Sequence, residues 1–208
     1  TSFYTLNDGV ARANIELLLS AYDTFGDERH LEAARRAVDF IIAVQGPEGQ
    51  AAWAEQYGPD LKPIAARTHE PAGYVLRESL WAVRLLERFY KRTGDRRYLA
   101  PIPRCLSWFD RVQRELATQK LPPARYYEPG TNRPIYVVQT EATNPEGYGL
   151  WKWTSDPTGV AAEPRRQWDM APLRREYERL AALSPEALRA EPETPPEEEL
   201  GWWGRRPS

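Results

Sequence analysis

The fold prediction starts from two similar stretches, YDTFGDERHLEAARRAVDF at residues 22–40 and YKRTGDRRYLAPIPRCLSWF at residues 90–109. In each stretch a Gly-Asp pair interrupts apolar residues that recur at helical spacing. Glycine readily takes the left-handed conformation that ends a helix, and aspartate caps the helix that follows. Each copy therefore reads as a helical hairpin followed by a long loop. Such repeats predict an all-α fold, an (α/α) toroid or helical-hairpin repeat forming a partial barrel; an ordinary helical bundle explains the same periodicity equally well.

Four helices are predicted outward from these stretches, because apolar residues recur every three or four positions. The four stripes are Ile15 to Tyr22, Leu31 to Val44, Leu76 to Tyr90 and Ile102 to Leu116. Several stripes cover more than one helical face, which predicts helices packed between neighbours. Residues 124–138 predict a small β-hairpin, with a turn at Pro129-Gly130-Thr131-Asn132.

A long loop is predicted at residues 46–74, where four prolines and four glycines prevent regular structure. Loops of this length inside a domain are usually functional or disordered. Trp53, Tyr57 and Tyr74 argue against disorder. We therefore predict an ordered, functional loop.

The domain organisation follows from changes in composition along the chain. Residues 1–160 are predicted to form the helical domain, residues 161–185 to contain a surface helix at 172–183, and residues 186–208 to form an acidic, proline-rich tail. Residues 186–199 alone hold six glutamates and one arginine. Such a run is typical of a solvated tail, and the rest of the chain is slightly basic.

Composition excludes several classes of protein. The chain has 208 residues, of which 41% are apolar, and its net charge is −2. The single cysteine excludes an internal disulfide framework, and the two histidines exclude a histidine-rich metal site. We expect no membrane partner, since no apolar run reaches spanning length, and no nucleic-acid partner, since there is no strong basic stripe. The chain opens at Thr1 without a signal-like segment, and three readings stay open: a fragment of a longer protein, closure by self-association, or lost activity.

Four short motifs carry the functional prediction. They are Thr5-Leu6-Asn7-Asp8-Gly9, Trp53-Ala54-Glu55-Gln56-Tyr57, Pro63-Ile64-Ala65-Ala66-Arg67-Thr68-His69-Glu70-Pro71, and Ala124-Arg125-Tyr126-Tyr127-Glu128 followed by Thr131-Asn132-Arg133-Pro134. Their order and spacing resemble those of the family 10 pectate lyases over roughly residues 3–155. The resemblance is to the C-terminal half of that family's helical (α/α) toroid module.

This resemblance implies a secreted or periplasmic polysaccharide lyase that cleaves polygalacturonate by β-elimination with the help of calcium. The residue types suit that chemistry. Arginine grips carboxylates through two parallel hydrogen bonds, and flat aromatic rings cover the apolar faces of sugars. Calcium prefers oxygen ligands such as carboxylates.

Residue roles carry over at the matching positions. The resemblance makes Arg67 the catalytic base and Asp8 the catalytic acidic residue that handles calcium and substrate; Arg125 and Arg133 hold substrate carboxylates. An arginine is normally protonated, so the base role requires a positive environment or alkaline conditions. The other substrate-binding positions are Asn7, Trp53, Gln56, Tyr57, Lys62 and Glu70.

Each assignment has a structural alternative. Asp8 suits the cap of the first helix. Arg67 and Glu70 suit an ion pair, and Trp53 and Tyr57 suit a role in fastening the loop to the core. Three further alternatives complete the set: an Arg125–Glu128 cross-link on the hairpin, a solvated Lys62, and a buried Cys105 in the core. His69 has no partner in the sequence and is not predicted to be catalytic.

The chain departs from the family pattern at three places and in length. Ala54 replaces a cysteine, Tyr57-Gly58 replaces a His-Asp pair, and Ala72-Gly73-Tyr74 replaces a serine-glycine stretch. The family's earlier half, with its first acidic calcium site, has no counterpart here. The alternative functions are therefore a non-catalytic homologue that binds acidic glycans, and a helical-repeat module that binds a protein.

Overall fold

The computed structural model describes residues 3–145, 147, 149–160 and 169–191. Helices hold 49% of these residues and strands hold 15%, so the fold is mixed α/β. The prediction of an all-α toroid or helical-hairpin repeat is therefore wrong. The backbone of the long loops lies in the protein interior, where its N–H and C=O groups need hydrogen-bond partners. Segments of the loops therefore pair with each other as short strands.

The helices follow the predicted stripes closely. In chain order they are α1 (Val10–Phe25), α2 (Glu28–Ala43), α3 (Leu76–Thr93), α4 (Ile102–Gln119), α5 (Ala171–Ala182) and α6 (Pro185–Arg189), with a 3-10 turn at Arg96–Tyr98 before α4. Gly26 and Gly94 take the left-handed conformation after α1 and α3. Asp27 then accepts a hydrogen bond from the Arg29 N–H at the start of α2. The Gly-Asp breaks are thus confirmed.

Two antiparallel sheets gather the loops. The strands are β1 (Tyr4–Thr5), β2 (Trp53–Ala54), β3 (Gln56–Tyr57), β4 (Tyr74–Val75), β5 (Tyr126–Tyr127), β6 (Pro134–Thr143) and β7 (Gly149–Thr154). β1 pairs with β3, and the larger sheet has the order β2-β4-β5-β6-β7. The predicted hairpin is confirmed as the β5–β6 pair, in which Tyr126 lies opposite Ile135. β6 continues past the predicted hairpin and pairs with β7.

The core lies on α3 and α4, with the two-residue strands packed against it. Val83, Leu86 and Phe89 of α3 are fully buried, as are Ile102 and Phe109 of α4. α3 follows directly from β4, at the end of the predicted loop. The packing of α3 in the core therefore also holds β4 and its sheet in position.

The C-terminal helices belong to this core. Leu173 and Leu180 of α5 and Leu188 of α6 are buried in the same apolar cluster. The predicted tail began at residue 186, but residues 186–189 belong to α6; residues 192–208 of the predicted tail lie outside the described residues. No helix among the described residues has the length and apolar character needed to cross a membrane.

Candidate functional site

Arg67 joins two acidic side chains that come from different parts of the chain. Its guanidinium forms an ion pair with Asp8, which precedes α1, and a second one with Glu70, with Nη2 2.6 Å from Oε1. A tight turn fixes this arrangement, because the Glu70 N–H donates to the Arg67 carbonyl at 2.8 Å. The capping alternative for Asp8 is wrong: Gly9 occupies the N-cap of α1, without a side-chain cap bond.

A line of amide groups connects this ion pair to β1 and β3. Gln56 Nε2 donates to Asn7 Oδ1 at 2.9 Å, and Asn7 Nδ2 donates to Glu70 Oε1 at 2.8 Å. Asn7, Gln56 and Glu70 are all buried. The buried carboxylate is therefore satisfied by an amide and by Arg67, as a buried charge requires. We call Asn7, Asp8, Gln56, Arg67 and Glu70 the Arg67 cluster.

A second group forms around the buried carboxylate of Glu55, the residue before Gln56. Glu55 Oε1 accepts from Arg125 Nη2 at 2.5 Å and from Arg77 Nη2 at 3.2 Å, and Oε2 accepts from the Tyr126 hydroxyl at 2.8 Å. Arg77 also pairs with Glu78 at 2.8 Å. We call Glu55, Arg77, Glu78, Arg125 and Tyr126 the Glu55 cluster.

The two clusters are electrostatically connected. Burial raises the pKa of Tyr126, and the charges of Glu55 and Glu70 raise it further. The clusters also meet in the backbone, where the Glu55 carbonyl accepts from the Asn7 N–H at 3.4 Å. The structure places Asp8, Arg67 and Arg125 in neighbouring clusters, although 117 residues separate the first from the last in the chain.

Ionisation in the Arg67 cluster is set by its own ion pairs. Hydrogen bonds to Glu70 and Asp8 raise the pKa of Arg67 against the opposing effect of partial burial. Burial raises the pKa of Glu70, but hydrogen bonds from the Arg67 side chain and backbone lower it more, so the net shift is downward. Both groups are held in their charged forms. Arg67 and Asp8 still face solvent, with 49% and 55% of their side chains exposed.

Two predicted substrate-binding aromatics fasten the loop to the core instead. Trp53 is fully buried and donates its Nε1–H to the Ile41 carbonyl at 2.7 Å. Tyr57 is also fully buried, and its hydroxyl accepts from the Ala54 N–H at 2.7 Å. Neither ring has a surface on which a ligand could lie, so the prediction that they bind substrate is corrected to a role in the core.

Lys62 and Arg133 lie in exposed turns. Lys62 has 79% of its side chain exposed and its Nζ is 3.9 Å from Asp60. Arg133 pairs with Glu128 at 2.8 Å in the β5–β6 turn. Glu128 thus bonds Arg133, while Arg125 bonds Glu55, and the predicted Arg125–Glu128 cross-link is replaced by these two pairs. Cys105 is fully buried, which confirms its prediction as a core residue.

The calcium prediction finds little support in the donor set. Calcium takes six to eight oxygen ligands. Asp8 instead faces a guanidinium, and the described part of the chain has no group of three His, Cys, Asp or Glu side chains that could hold a metal. These side chains do not by themselves fit a calcium ion. Calcium stays a prediction of the resemblance.

Two tryptophans of β7 lie beside this site and were not among the predicted site residues. Trp153 Nε1 donates to the Thr68 carbonyl at 2.9 Å, and the Trp151 ring lies 5.6 Å from the ring of His69. His69 Nε2 is in turn 3.9 Å from Glu70 Oε1. The signal was the alternation Trp151-Lys152-Trp153, which in a strand places both indoles on one face.

Comparison with models of protein families gives no match to this chain, and comparison with curated proteins gives none either. Function is therefore inferred from the four motifs and from the geometry of the two clusters.

Proposed function

We propose that this chain is a pectate-lyase-like protein that receives an acidic polysaccharide at the Arg67 cluster and cleaves it by β-elimination. The observation that carries the proposal is the ion pair of Arg67 with Asp8 and Glu70. Three positions singled out by two separate motifs meet there, and Gln56 of this cluster directly follows Glu55, the residue that binds Arg125.

The reaction makes a specific demand on charge. Removal of the proton beside the uronate carboxylate builds negative charge on that carboxylate, while the C4–O4 bond breaks and a C4–C5 double bond forms. Fixed cations that face the carboxylate lower the energy of this state. Arg67 and Arg125 suit the task, since each is anchored on a buried carboxylate and still has an exposed side.

The electrostatic setting of Arg67 supports a neutralising role for it. A base must lose its own proton, and neighbouring carboxylates oppose that loss. Asp8 and Glu70 raise the pKa of Arg67 and keep it protonated. We therefore propose that Arg67 neutralises the uronate carboxylate, in place of the base role that the resemblance implies.

His69, which the sequence did not predict to be catalytic, is the proposed proton acceptor, because the structure places it beside Glu70 and Trp151. Imidazole is the side chain most often used for proton transfer, and His69 lies two residues from Arg67 with 36% of its side chain exposed. In the proposed step the C5 proton passes to the imidazole, the bonding electrons form the double bond, and the departing O4 takes a proton from solvent. The polymer is extracellular, so we also propose a secreted or periplasmic location.

The test is an ultraviolet assay of purified protein with polygalacturonate, with calcium present and again with a chelator. We expect absorbance from the unsaturated product, and the resemblance predicts that the chelator reduces it. Arg67→Ala should lower the rate at least about 100-fold, the usual loss when one charge-stabilising donor is removed. Arg29→Ala, the matched control at an exposed arginine of α2, should leave the rate unchanged.

Two outcomes would redirect the proposal. An undiminished rate in Arg67→Ala, with helical circular dichroism intact, would refute the role of this residue. Binding of polygalacturonate by the wild type without product would identify the non-catalytic glycan-binding homologue.

A further inference from the structure

We propose that Trp151 and Trp153 form an aromatic subsite that stacks on the sugar rings adjoining the uronate held at the Arg67 cluster. This inference rests on the proposed function, since it assigns further contacts to the same polymer. It gives the site a second kind of recognition, by the apolar faces of sugar rings, beside recognition of their carboxylates.

The two indoles share one face of β7. Trp151 lies opposite Gln139 and Trp153 lies opposite Val137 in the antiparallel β6–β7 pair. Side chains two apart on a strand point to the same side, so Lys152 between them points to the other. The spacing along the strand is roughly 7 Å, which presents two separate rings in a row.

This face is attached to the loop that carries Arg67. The Trp153 indole N–H donates to the carbonyl of Thr68, the residue after Arg67. Trp151 packs at a tilt against His69, the next residue along the loop. The row of rings therefore begins where the Arg67 cluster ends, and a polymer lying along the site would pass from one to the other.

Both rings are exposed in a way that favours a sugar ligand. Trp151 is 37% exposed and Trp153 is 48% exposed, which is unusual for side chains of this size. The indole N–H of Trp153 is already bonded, so its ring surface is what remains for a ligand. Pyranose rings offer flat C–H faces that suit such surfaces, with their carboxylates at the edge, within reach of arginine.

Ligand contacts at the Arg67 cluster and ligand contacts at the two tryptophans should respond differently to salt concentration. Ion pairs at exposed arginines are screened as ionic strength rises, whereas ring stacking is not. We expect the double variant Trp151→Ala/Trp153→Ala to weaken binding of an oligogalacturonate about tenfold at both low and high salt. We expect the loss caused by Arg67→Ala to shrink at high salt.

The experiment is calorimetric titration of an oligogalacturonate into the wild type, the double tryptophan variant, Arg67→Ala and Leu17→Ala, each at two salt concentrations. Leu17 is an exposed apolar residue of α1 and serves as the matched control, which should bind like the wild type. Trp153→Phe keeps a flat ring and removes the N–H donor, so it should retain most of the affinity and separates stacking from loss of the Thr68 bond.

The outcomes are distinct. If the wild type binds and the double variant binds equally well, the aromatic subsite is wrong and the proposed function stands. If the wild type does not bind the acidic oligosaccharide at all, the proposed function is wrong, and the subsite with it.

Discussion

Arg67 pairs with the exposed carboxylate of Asp8 and the buried carboxylate of Glu70, and the two pairs have different roles. Glu70 is held by Asn7 and by the loop backbone, so it fixes the guanidinium in place. Asp8 is exposed, and we propose that a substrate carboxylate displaces it at the same guanidinium. A uronate that displaces Asp8 would keep Arg67 charged, as the proposed neutralising role requires.

Which single residues belong to the site was only partly predictable. The motifs named Asp8, Arg67 and Glu70, and the structure brings them together. The same motifs named Trp53 and Tyr57, whose rings are buried. A loop without periodicity gives no signal of which side chains point inward, so an aromatic in it can be either core or site.

Glu70→Gln should destabilise the protein by roughly 1–3 kcal/mol at neutral pH, because it removes the buried charge that Arg67 and Asn7 satisfy. The pKa of Glu70 is lowered in the folded state. Its contribution to stability is therefore present above the ordinary pKa of 4.5 and is lost as the pH falls through the lower folded value. Urea unfolding at neutral and acidic pH measures this effect. The difference in the free energy of unfolding between variant and wild type should be smaller at acidic pH.

The control for this prediction is Glu128→Gln, which removes an exposed ion pair with Arg133. Exposed pairs contribute little to stability, so its effect should be much smaller at either pH. If Glu70→Gln lowered the free energy of unfolding by the same amount at every pH, the lowered pKa of Glu70 would be contradicted.

At the scale of elements, the helices were predictable and most of the strands were not. A helix of four turns repeats its apolar spacing several times, and the Gly-Asp pairs mark its ends. β2, β4 and β5 have two residues each, too few for alternation to be recognised. Their pairing depends on partners up to 53 residues away in the chain, as between Tyr74 and Tyr127, and no local pattern records that.

Gly46 tests how tightly the loop before β2 is packed. A Cβ added there would meet the Gln50 carbonyl oxygen at 2.1 Å and the Tyr74 ring at 2.8 Å. Because a backbone atom cannot move aside cheaply, Gly46→Ala should lower the free energy of unfolding by about 3 kcal/mol. Thermal and urea unfolding measure the change.

Gly130 provides the matched comparison, since it lies in a turn with a φ of +85° and a Cβ there would meet nothing within 4 Å. Gly130→Ala carries only the conformational penalty of a left-handed residue, about 1 kcal/mol. If Gly46→Ala and Gly130→Ala lowered the free energy of unfolding equally, the close packing of the loop would be contradicted.

For the molecule as a whole, the site is assembled from segments spread over most of the described chain. The turn before α1, the loop after β3, β5 and β7 each supply a side chain to it, and the α3–α4 core fixes their positions. The motifs predicted all five members of the Arg67 cluster and Arg125 of the Glu55 cluster, whereas Arg77 and Glu78 lie in no motif. The contribution of β7 depends on a strand whose partner, β6, extends beyond the predicted hairpin, and on a bond to Thr68 that only the assembled fold creates.

The central claim is that a uronate carboxylate binds to the Arg67 guanidinium, and a crystal structure of the chain soaked with trigalacturonate tests it most directly. We expect a sugar carboxylate within hydrogen-bonding distance of Arg67, with the next ring lying along the β7 tryptophans. A carboxylate bound at Arg133 or elsewhere on the surface, with Arg67 still paired to both Asp8 and Glu70, would contradict the claim.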